Sequence, residues 1–330
     1  MHERPADLTD AELAAALRRY WALDIPGVSY AAVGYGGYHW TATDATGARW
    51  FATASRLASD EQFAELQATM NAAVGLADAG LDFVITPVRA LSGQAVIRVR
   101  PDFAVSLFPF ASGKPGGWGE PMSGTDRAAV TRMLAALHAA TPAAGPVPVR
   151  ALNPRSRTEL EISIQERGRP WRGGPYAEAA RDLVSTHASG LGTALAVFDD
   201  LIAQVTAAGG QPVLTHGEPH SGNLIRRGAD YLLIDWDTAG LAPPERDLWW
   251  IIEGAGAEAD LYAALTGREV SLPALALYRL RWDLDDVGLL LGDFRRTHKQ
   301  DQDTEVGWEG LVGAVERLAA GGWRLGRRRG

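Results

Sequence analysis

The segment VLTHGEPHSGNLI at residues 213–225, with LLIDWDTAG following at 232–240, constrains this chain more than any other stretch. A short apolar run enters a turn that carries two histidines, a glutamate and an asparagine, and a second apolar run ends in an aspartate. Polar side chains gathered in turns after apolar strands are typical of a functional site. The segment therefore predicts a place where a carboxylate, an amide and a second carboxylate converge.

Metal ligation by the histidines is one interpretation, because His216 and His220 stand four residues apart. In zinc metalloproteases that spacing lies on a helix, so that both rings share one face. Here Gly217 and Pro219 lie between the histidines and Gly222 follows them, which predicts a loop. A zinc site is therefore disfavoured.

Phosphoryl transfer fits the pattern H-G-E-x-x-x-x-N better. In that chemistry one carboxylate orients the attacking hydroxyl, while an amide oxygen and a second carboxylate hold Mg²⁺ against the triphosphate. Mg²⁺ prefers the oxygen ligands that asparagine and aspartate supply. Protein kinases use H-R-D-x-x-x-x-N and then D-F-G in the same order. Glu218, Asn223 and Asp235 stand at the corresponding positions.

These two segments, together with LAPPERDL at 241–248, resemble the aminoglycoside phosphotransferase and choline kinase family. The usual form in that family is H-G-D-x-x-x-x-N followed by I-D-W or I-D-F. The resemblance implies an α+β, bilobal, protein-kinase-like fold, with a small N-lobe of antiparallel strands and one helix, a hinge and a larger helical C-lobe. It also implies a catalytic base at Glu218, Mg²⁺ ligands at Asn223 and Asp235, and structural support from His216 and Asp247.

The order of elements along the chain agrees with this expectation. Strand patterns, a helix that starts at a Ser59–Gln62 capping box and two more strand patterns precede a Gly/Pro-rich breaker. Helical patterns dominate beyond it. The predicted domains are a nucleotide-binding N-lobe over 1–107, a hinge over 108–121, and a C-lobe over 122–330 that holds the catalytic loop, metal site and acceptor site.

In the N-lobe, the resemblance implies that the turn GYGG covers the phosphates of ATP or GTP through Gly34, Gly36 and Gly37. Backbone groups of the hinge at Phe108 and Phe110 are expected to contact the adenine.

Two residues depart from the family pattern. Glu218 replaces the usual aspartate, and its extra methylene requires a small shift of the loop. The third strand, RWFATASRL at 49–57, lacks the usual lysine and has Thr53 or Ser55 near its position. Arg49 or Arg56 could reach the phosphates instead; otherwise the metal and backbone N–H groups carry more of the neutralisation.

The helical pattern at 279–296 places Asp283 and Asp286 on one stripe, where they could bind a polycationic amino sugar. The alternative is a solvated face paired with neighbouring arginines. The predicted function is an ATP- or GTP-dependent O-phosphotransferase for an aminoglycoside or aminocyclitol antibiotic. A binding-only pseudokinase, and a kinase for choline, homoserine or a macrolide, are the alternatives.

Composition limits the partners. The net charge of −8 argues against nucleic acid and suits a cationic small molecule, and the absence of cysteine excludes a disulfide-linked partner. No run of membrane-spanning length is evident in the sequence. A cytoplasmic protein without a membrane partner is therefore expected.

Overall fold

The computed structural model describes residues 1–34, 36–117 and 119–321. Tyr35 of the predicted GYGG turn, Trp118 of the predicted hinge and residues 322–330 of the predicted C-lobe lie outside the described residues. The strands are β1 (Val28–Ala31), β2 (Tyr38–Thr43), β3 (Arg49–Arg56), β4 (Ile97–Arg100), β5 (Phe103–Pro109), β6 (Lys114–Pro115), β7 (Val213–Thr215), β8 (Leu224–Arg227), β9 (Asp230–Leu233) and β10 (Gly240–Ala242). The helices are α1 (Asp10–Trp21), α2 (Asp60–Asp78), α3 (Gly124–Ala139), α4 (Arg157–Gln165), α5 (Ala177–Ala208), α6 (Glu245–Leu248), α7 (Ala257–Thr266), α8 (Leu272–Arg295) and α9 (Gln302–Ala319).

The chain forms two compact units. The first comprises residues 1–149 with 212–247, and the second comprises 150–211 with 248–330. The segment 213–240 therefore belongs to the same unit as the N-terminal strands. The lobe and hinge boundaries expected from the sequence remain a prediction.

An antiparallel sheet in the order β1-β2-β3-β5-β4 forms the N-terminal part of the first unit. One face of the sheet is apolar and buried, with Trp40 fully inaccessible to solvent. Because side chains alternate along a strand, the opposite face carries the other set, which includes His39 and Thr53. The sheet thus separates a packed face from a partly exposed one.

Helix α1 covers the apolar face and was not predicted from the sequence. Its Leu13, Leu17 and Trp21 join the same buried cluster as Trp40. A capping box starts the helix, because the Thr9 side chain accepts from the Glu12 N–H while Glu12 accepts from the Thr9 N–H. The T-x-x-E spacing was the signal that could have identified it.

The second unit is helical, with α8 in contact with α4, α5 and α9. Helix α5 is continuous through Gly190 and Gly192, although glycine is a poor helix former. A Cβ atom at Gly190 would lie 2.9 Å from Cα of Ala319. Close packing against α9 therefore retains a helix that the glycines alone would weaken.

Within the described ranges, α5 is the one helix long and apolar enough to cross a membrane by length and composition. Core helices of globular proteins meet the same criterion. The expectation of no membrane partner remains a prediction.

Gly75 allows α2 to approach a turn at 141–144, because a Cβ atom there would lie 2.4 Å from the carbonyl oxygen of Ala143. We expect Gly75→Ala to lower the free energy of unfolding by about 1–3 kcal/mol, since backbone must move to relieve the clash. Gly192→Ala is the matched control. No heavy atom lies within 4 Å of its added Cβ, and helix propensity should raise stability by up to about 1 kcal/mol. Urea unfolding measures both; equal effects would contradict the packing assigned to Gly75.

Candidate active site

A fully buried histidine follows strand β7 and links the two halves of the segment. His216 Nε2 lies 2.9 Å from the carbonyl oxygen of Ile234, and its Nδ1 lies 3.2 Å from the backbone nitrogen of Glu218. A proton on Nε2 satisfies both contacts, because Nε2–H then donates and Nδ1 accepts. Burial lowers the pKa of His216 to about 4, so the ring is neutral at pH 7. One imidazole therefore fixes the turn at Glu218 relative to the end of β9.

The carboxylate of Asp247 supports the backbone of this turn. It accepts hydrogen bonds from the backbone nitrogens of His216 at 2.8 Å and Gly217 at 2.6 Å, and its Oδ2 is 3.1 Å from Nε2 of His138. Burial favours the neutral acid, but the hydrogen bond from His138 and the nearby Arg246 and His216 outweigh it and lower the pKa of Asp247. These contacts tie Asp247 to the backbone of the turn; its role in an active site remains a prediction. His138, on α3, was missed because nothing in its local sequence marks it.

Arg246 explains why glycine precedes Glu218. Its guanidinium donates to Oγ1 of Thr215 and to the carbonyl oxygen of Thr238, both at 2.9 Å. A Cβ atom on Gly217 would lie 2.2 Å from Nη2 of Arg246, and the φ of Gly217 is +101°. A larger side chain would collide with the arginine, and the backbone conformation itself favours glycine.

Asn223 is oriented with its amide nitrogen toward the protein. Nδ2 donates to the carbonyl oxygen of Glu218 at 3.0 Å and lies 3.3 Å from Nε2 of His220. With the nitrogen engaged in this way, Oδ1 is the atom suited to accept a cation. The backbone of Asn223 also receives the N–H of Ile234 at 3.1 Å. This bond holds Asn223 beside the residue that precedes Asp235.

Asp235 has a left-handed backbone, with a φ of +69°, in a residue type that bears a Cβ atom. Its side chain remains accessible to solvent. Loss of hydration in a crowded environment and repulsion from Asp237 and Glu218 raise its pKa well above the ordinary range. Three carboxylates thus lie close enough to repel one another, and a bound cation would relieve that repulsion.

Glu218 is half-buried, with its side chain 32% exposed, and its Oε2 lies 4.0 Å from Nε2 of His220. Burial, with a smaller effect of His216, lowers the pKa of His220 to about 4. The imidazole is therefore neutral at pH 7 and does not offset the charge of the glutamate.

The donor set of Asn223 and Asp235 fits Mg²⁺. Within residues 1–34, 36–117 and 119–321, no cluster of three or more histidine, aspartate or glutamate side chains forms a complete metal site. Mg²⁺ bound to nucleotides takes only one or two protein carboxylates and completes its shell with phosphate and water oxygens. An amide oxygen and one carboxylate are therefore a sufficient protein contribution.

The glycine-rich turn lies above the partly exposed face of the sheet. Gly34 and Gly36 have φ values of +71° and +90°. Thr53 pairs across the strands with His39, whose Nδ1 is 3.2 Å from Oγ1 of Thr53. The structure therefore brings Gly34, Gly37 and Thr53 together around a histidine that the sequence analysis did not single out.

Neither arginine that flanks the third strand takes the place of the missing lysine. Arg56 binds Asp7 at 2.6 Å and Asp102 at 3.2 Å. Arg49 lies 3.6 Å from the centre of the Phe110 ring, at the far end of the strand from Thr53. Both side chains are thus engaged in contacts that hold the sheet and its edges.

The strand register bears on the hinge contacts expected of Phe108 and Phe110, which remain a prediction. The N–H of Phe110 donates to the carbonyl oxygen of Arg49 at 3.0 Å, and Phe108 pairs with Phe51 in the same register. Bonded pairs alternate along an antiparallel ladder. The backbone groups of these two residues therefore face β3, and the carbonyl oxygen of Pro109 points away from it.

The predicted acceptor residues lie in the second unit and differ in environment. Asp283 is only 2% exposed and accepts from Arg317 Nη2 at 2.9 Å, so its charge is balanced inside the helical unit. The expectation that it binds an acceptor is therefore replaced by a structural role. Asp286, on the same helix, is partly exposed.

The model of a family described as "Phosphotransferase enzyme family" (APH) matches residues 31–281. Protein StrN of Streptomyces griseus is 30% identical over 247 residues, which cover 72% of this chain and 73% of StrN.

Two solved structures are similar at low identity. Spectinomycin phosphotransferase APH(9)-Ia, crystallised with ADP and spectinomycin, aligns with a TM-score of 0.74 at 18% identity, over 96% of this chain and 100% of that chain. Macrolide 2′-phosphotransferase MphH from Brachybacterium faecium aligns with a TM-score of 0.57 at 18% identity, over 93% and 98% respectively. These likenesses confirm the α+β, protein-kinase-like fold expected from the sequence.

The neutral state of His216 makes stability depend on pH. Its folded pKa of about 4 lies below the ordinary 6.5, so the unfolded chain binds the proton first as the pH falls. The contribution of His216 is complete above pH 6.5 and is lost progressively down to about pH 4. Between pH 7 and pH 5 the free energy of unfolding should fall by about 2 kcal/mol through this residue.

Urea unfolding at the two pH values measures this difference, and His216→Asn is the comparison. The variant should be less stable at pH 7 but should show a pH dependence smaller by about 2 kcal/mol. An unchanged pH dependence in the variant would show that His216 is not held neutral by the fold.

Proposed function

Because this chain belongs to the phosphotransferase enzyme family, we propose that it transfers the γ-phosphate of ATP, with GTP as the alternative donor, to a hydroxyl of an aminoglycoside- or aminocyclitol-type antibiotic. The observation that carries the proposal is the hydrogen bonding of the segment. Asn223 Nδ2 donates to the carbonyl oxygen of Glu218, and the N–H of Ile234, the residue before Asp235, donates to the carbonyl oxygen of Asn223. A carboxylate, an amide and a second carboxylate held in one bonded segment suit a nucleotide–metal site.

The residues divide the work as follows. Glu218 would orient the acceptor hydroxyl and receive its proton, while Oδ1 of Asn223 and the carboxylate of Asp235 would hold Mg²⁺. When bound, Mg²⁺ supplies neutralisation of the charge on the transferring phosphoryl group. His216 and Asp247 hold the backbone of the turn, so that these side chains need little rearrangement.

A glutamate is compatible with this role. In a loose transition state for phosphoryl transfer, position and charge matter more than strong proton abstraction. The hydrogen bonds that Asp247 and His216 make are to backbone groups of the turn. They therefore do not involve the carboxylate of Glu218.

On the nucleotide side, the glycine-rich turn with Gly34, Gly36 and Gly37 would cover the phosphates. Within the segment Phe108–Phe110, the strand register directs the carbonyl oxygen of Pro109 away from β3. This oxygen is the backbone group proposed to contact the adenine. The aromatic side chain of Phe108 is buried, and that of Phe110 stacks with Arg49. These two rings would support the hinge rather than offer polar groups.

A cationic acceptor is supported by three observations. The net charge of the chain is −8, Asp286 is partly exposed on α8, and a structural neighbour at 18% identity was crystallised with spectinomycin. The proposed setting is antibiotic resistance or self-protection in the cytoplasm. Kinases for choline, homoserine or a macrolide remain the alternatives within the same chemistry.

A nucleotide-binding pseudokinase is the second candidate, and the absence of a lysine from β3 favours it. The retained carboxylates and amide favour catalysis. The two functions differ in one observable, because only the enzyme releases ADP in a way that depends on an acceptor.

We expect purified protein with Mg²⁺-ATP and an aminoglycoside and aminocyclitol panel to release ADP. Asp235→Asn should reduce turnover by about 1,000-fold or more, since it removes the charged Mg²⁺ ligand. Glu218→Gln should lower kcat with little change in the KM for ATP, because it removes the group that faces the acceptor. Asp230→Asn, at an exposed turn on the other end of β9, is the matched control and should retain wild-type turnover.

Coupled detection of ADP measures these rates. Nucleotide binding without turnover on any acceptor would support the pseudokinase. If the protein shows no nucleotide binding and no turnover, both functions are contradicted.

A further inference from the structure

A row of polar side chains crosses three adjacent strands on the partly exposed face of the N-terminal sheet. His39 of β2 pairs in register with Thr53 of β3, and Thr53 pairs with Ser106 of β5. Directly paired residues project to the same face of an antiparallel sheet. This face is opposite to the one that packs against α1, so the row is not part of the apolar core.

His39 lies directly below the glycine-rich turn. A Cβ atom on Gly34 would be 3.2 Å from Nε2 of His39, and one on Gly37 would be 3.2 Å from its Cε1. The opposite side of the ring stacks on Phe51, with centroids 5.2 Å apart and planes inclined by 26°. At Gly34 and Gly37 the imidazole of His39 is the nearest side chain to the position that a Cβ atom would take.

Thr53 lies within hydrogen-bond distance of the ring nitrogen of His39 that is remote from Gly34. Its Oγ1 is 3.2 Å from Nδ1 of His39. Burial, with a smaller effect of the positive amino terminus, lowers the pKa of His39 to about 4, so the ring is neutral at pH 7. A hydroxyl that donates to Nδ1 leaves the proton on Nε2, and Nε2 is the atom next to Gly34.

We propose that His39 takes over the phosphate contact of the missing third-strand lysine: its Nε2–H donates to a phosphate oxygen of the nucleotide, and Thr53 holds the ring in that tautomer. This inference rests on the proposed phosphotransferase function. Arg49 and Arg56 are engaged elsewhere, whereas His39 lies on the strand next to Thr53 and under the turn that covers the phosphates.

The proposed contact should change the affinity only for ligands that carry phosphates. A neutral imidazole offers a hydrogen bond to an anion without adding a positive charge. A hydrogen bond to a charged group corresponds to about a 10- to 100-fold change in affinity. Adenosine, which lacks phosphates, should not detect it.

The test compares the affinities for Mg²⁺-AMP-PNP and for adenosine by titration calorimetry. We expect His39→Ala to weaken AMP-PNP binding by about 10- to 100-fold and to leave adenosine binding close to wild type. His39→Gln, which restores an amide N–H donor, should recover part of the loss. Thr53→Val should show an intermediate loss, because the ring keeps its place and loses the hydrogen bond that fixes its tautomer.

Thr41→Val is the matched control, because Thr41 lies on the same strand and face as His39 but pairs with Phe51, away from the turn. It should bind both ligands as the wild type does. The ammonium group of Met1 donates to the carbonyl oxygens of Val33, Gly34 and Gly37; every variant keeps the same amino terminus, so this charge is constant across the series.

Three outcomes overturn the inference in distinguishable ways. If His39→Ala binds AMP-PNP as the wild type does, His39 makes no phosphate contact and the proposed function stands. If His39→Ala weakens both ligands equally and His39→Gln restores neither, His39 only shapes the sheet. If the wild type binds AMP-PNP no better than adenosine, the nucleotide site itself is absent and the proposed function fails as well.

Discussion

The buried carboxylate of Asp247 is the constraint on which the rest of the site depends. It is fully inaccessible to solvent and receives hydrogen bonds from two consecutive backbone N–H groups and from His138. A buried charge is stable only where such donors surround it, and removal of a donor leaves an uncompensated charge. The end of β7, helix α3 and helix α6 are therefore held to one another by a single side chain. The conformation of the turn at Gly217 is set by the fold and does not await a ligand.

His216 extends that constraint from the turn to the second half of the segment. Its ring contacts the backbone of Glu218 on one side and of Ile234 on the other, so the proposed base and the end of β9 are positioned together. Asp235 then adopts a left-handed backbone beside two other carboxylates. Local strain and repulsion of this kind lower stability, and they persist where surrounding structure determines the conformation. The hydrogen bonds around Asp247 and His216 hold the surrounding backbone in place and so maintain the conformation of Asp235.

The sequence predicted most of the sheet, because runs rich in β-branched and aromatic residues identified β1 to β5. The H-G-E-x-x-x-x-N spacing predicts the roles of the carboxylates and the amide, which remain proposals. What the sequence missed depends on distant partners. The burial of Asp283 follows from Arg317 on another helix, and the role of His138 follows from Asp247, which is 109 positions away. Helix α5 stays continuous because Gly190 packs against Ala319, a contact that no window along α5 contains.

The absence of a third-strand lysine changes where the phosphate charge is balanced. Arg56 is paired with Asp7 and Asp102, and Arg49 is stacked on Phe110. Burial keeps His39 uncharged at pH 7. His39 of β2 and Thr53 of β3, which lie below the glycine-rich turn, thus offer hydrogen bonds and no positive charge. Compensation of a triphosphate must then come chiefly from backbone N–H groups and from a cation held by oxygen ligands. On the proposed function, Asn223 and Asp235 would supply such ligands in the same compact unit. Without an ammonium group on the third strand, the amide and the carboxylate after β7 would then contribute more to holding the nucleotide.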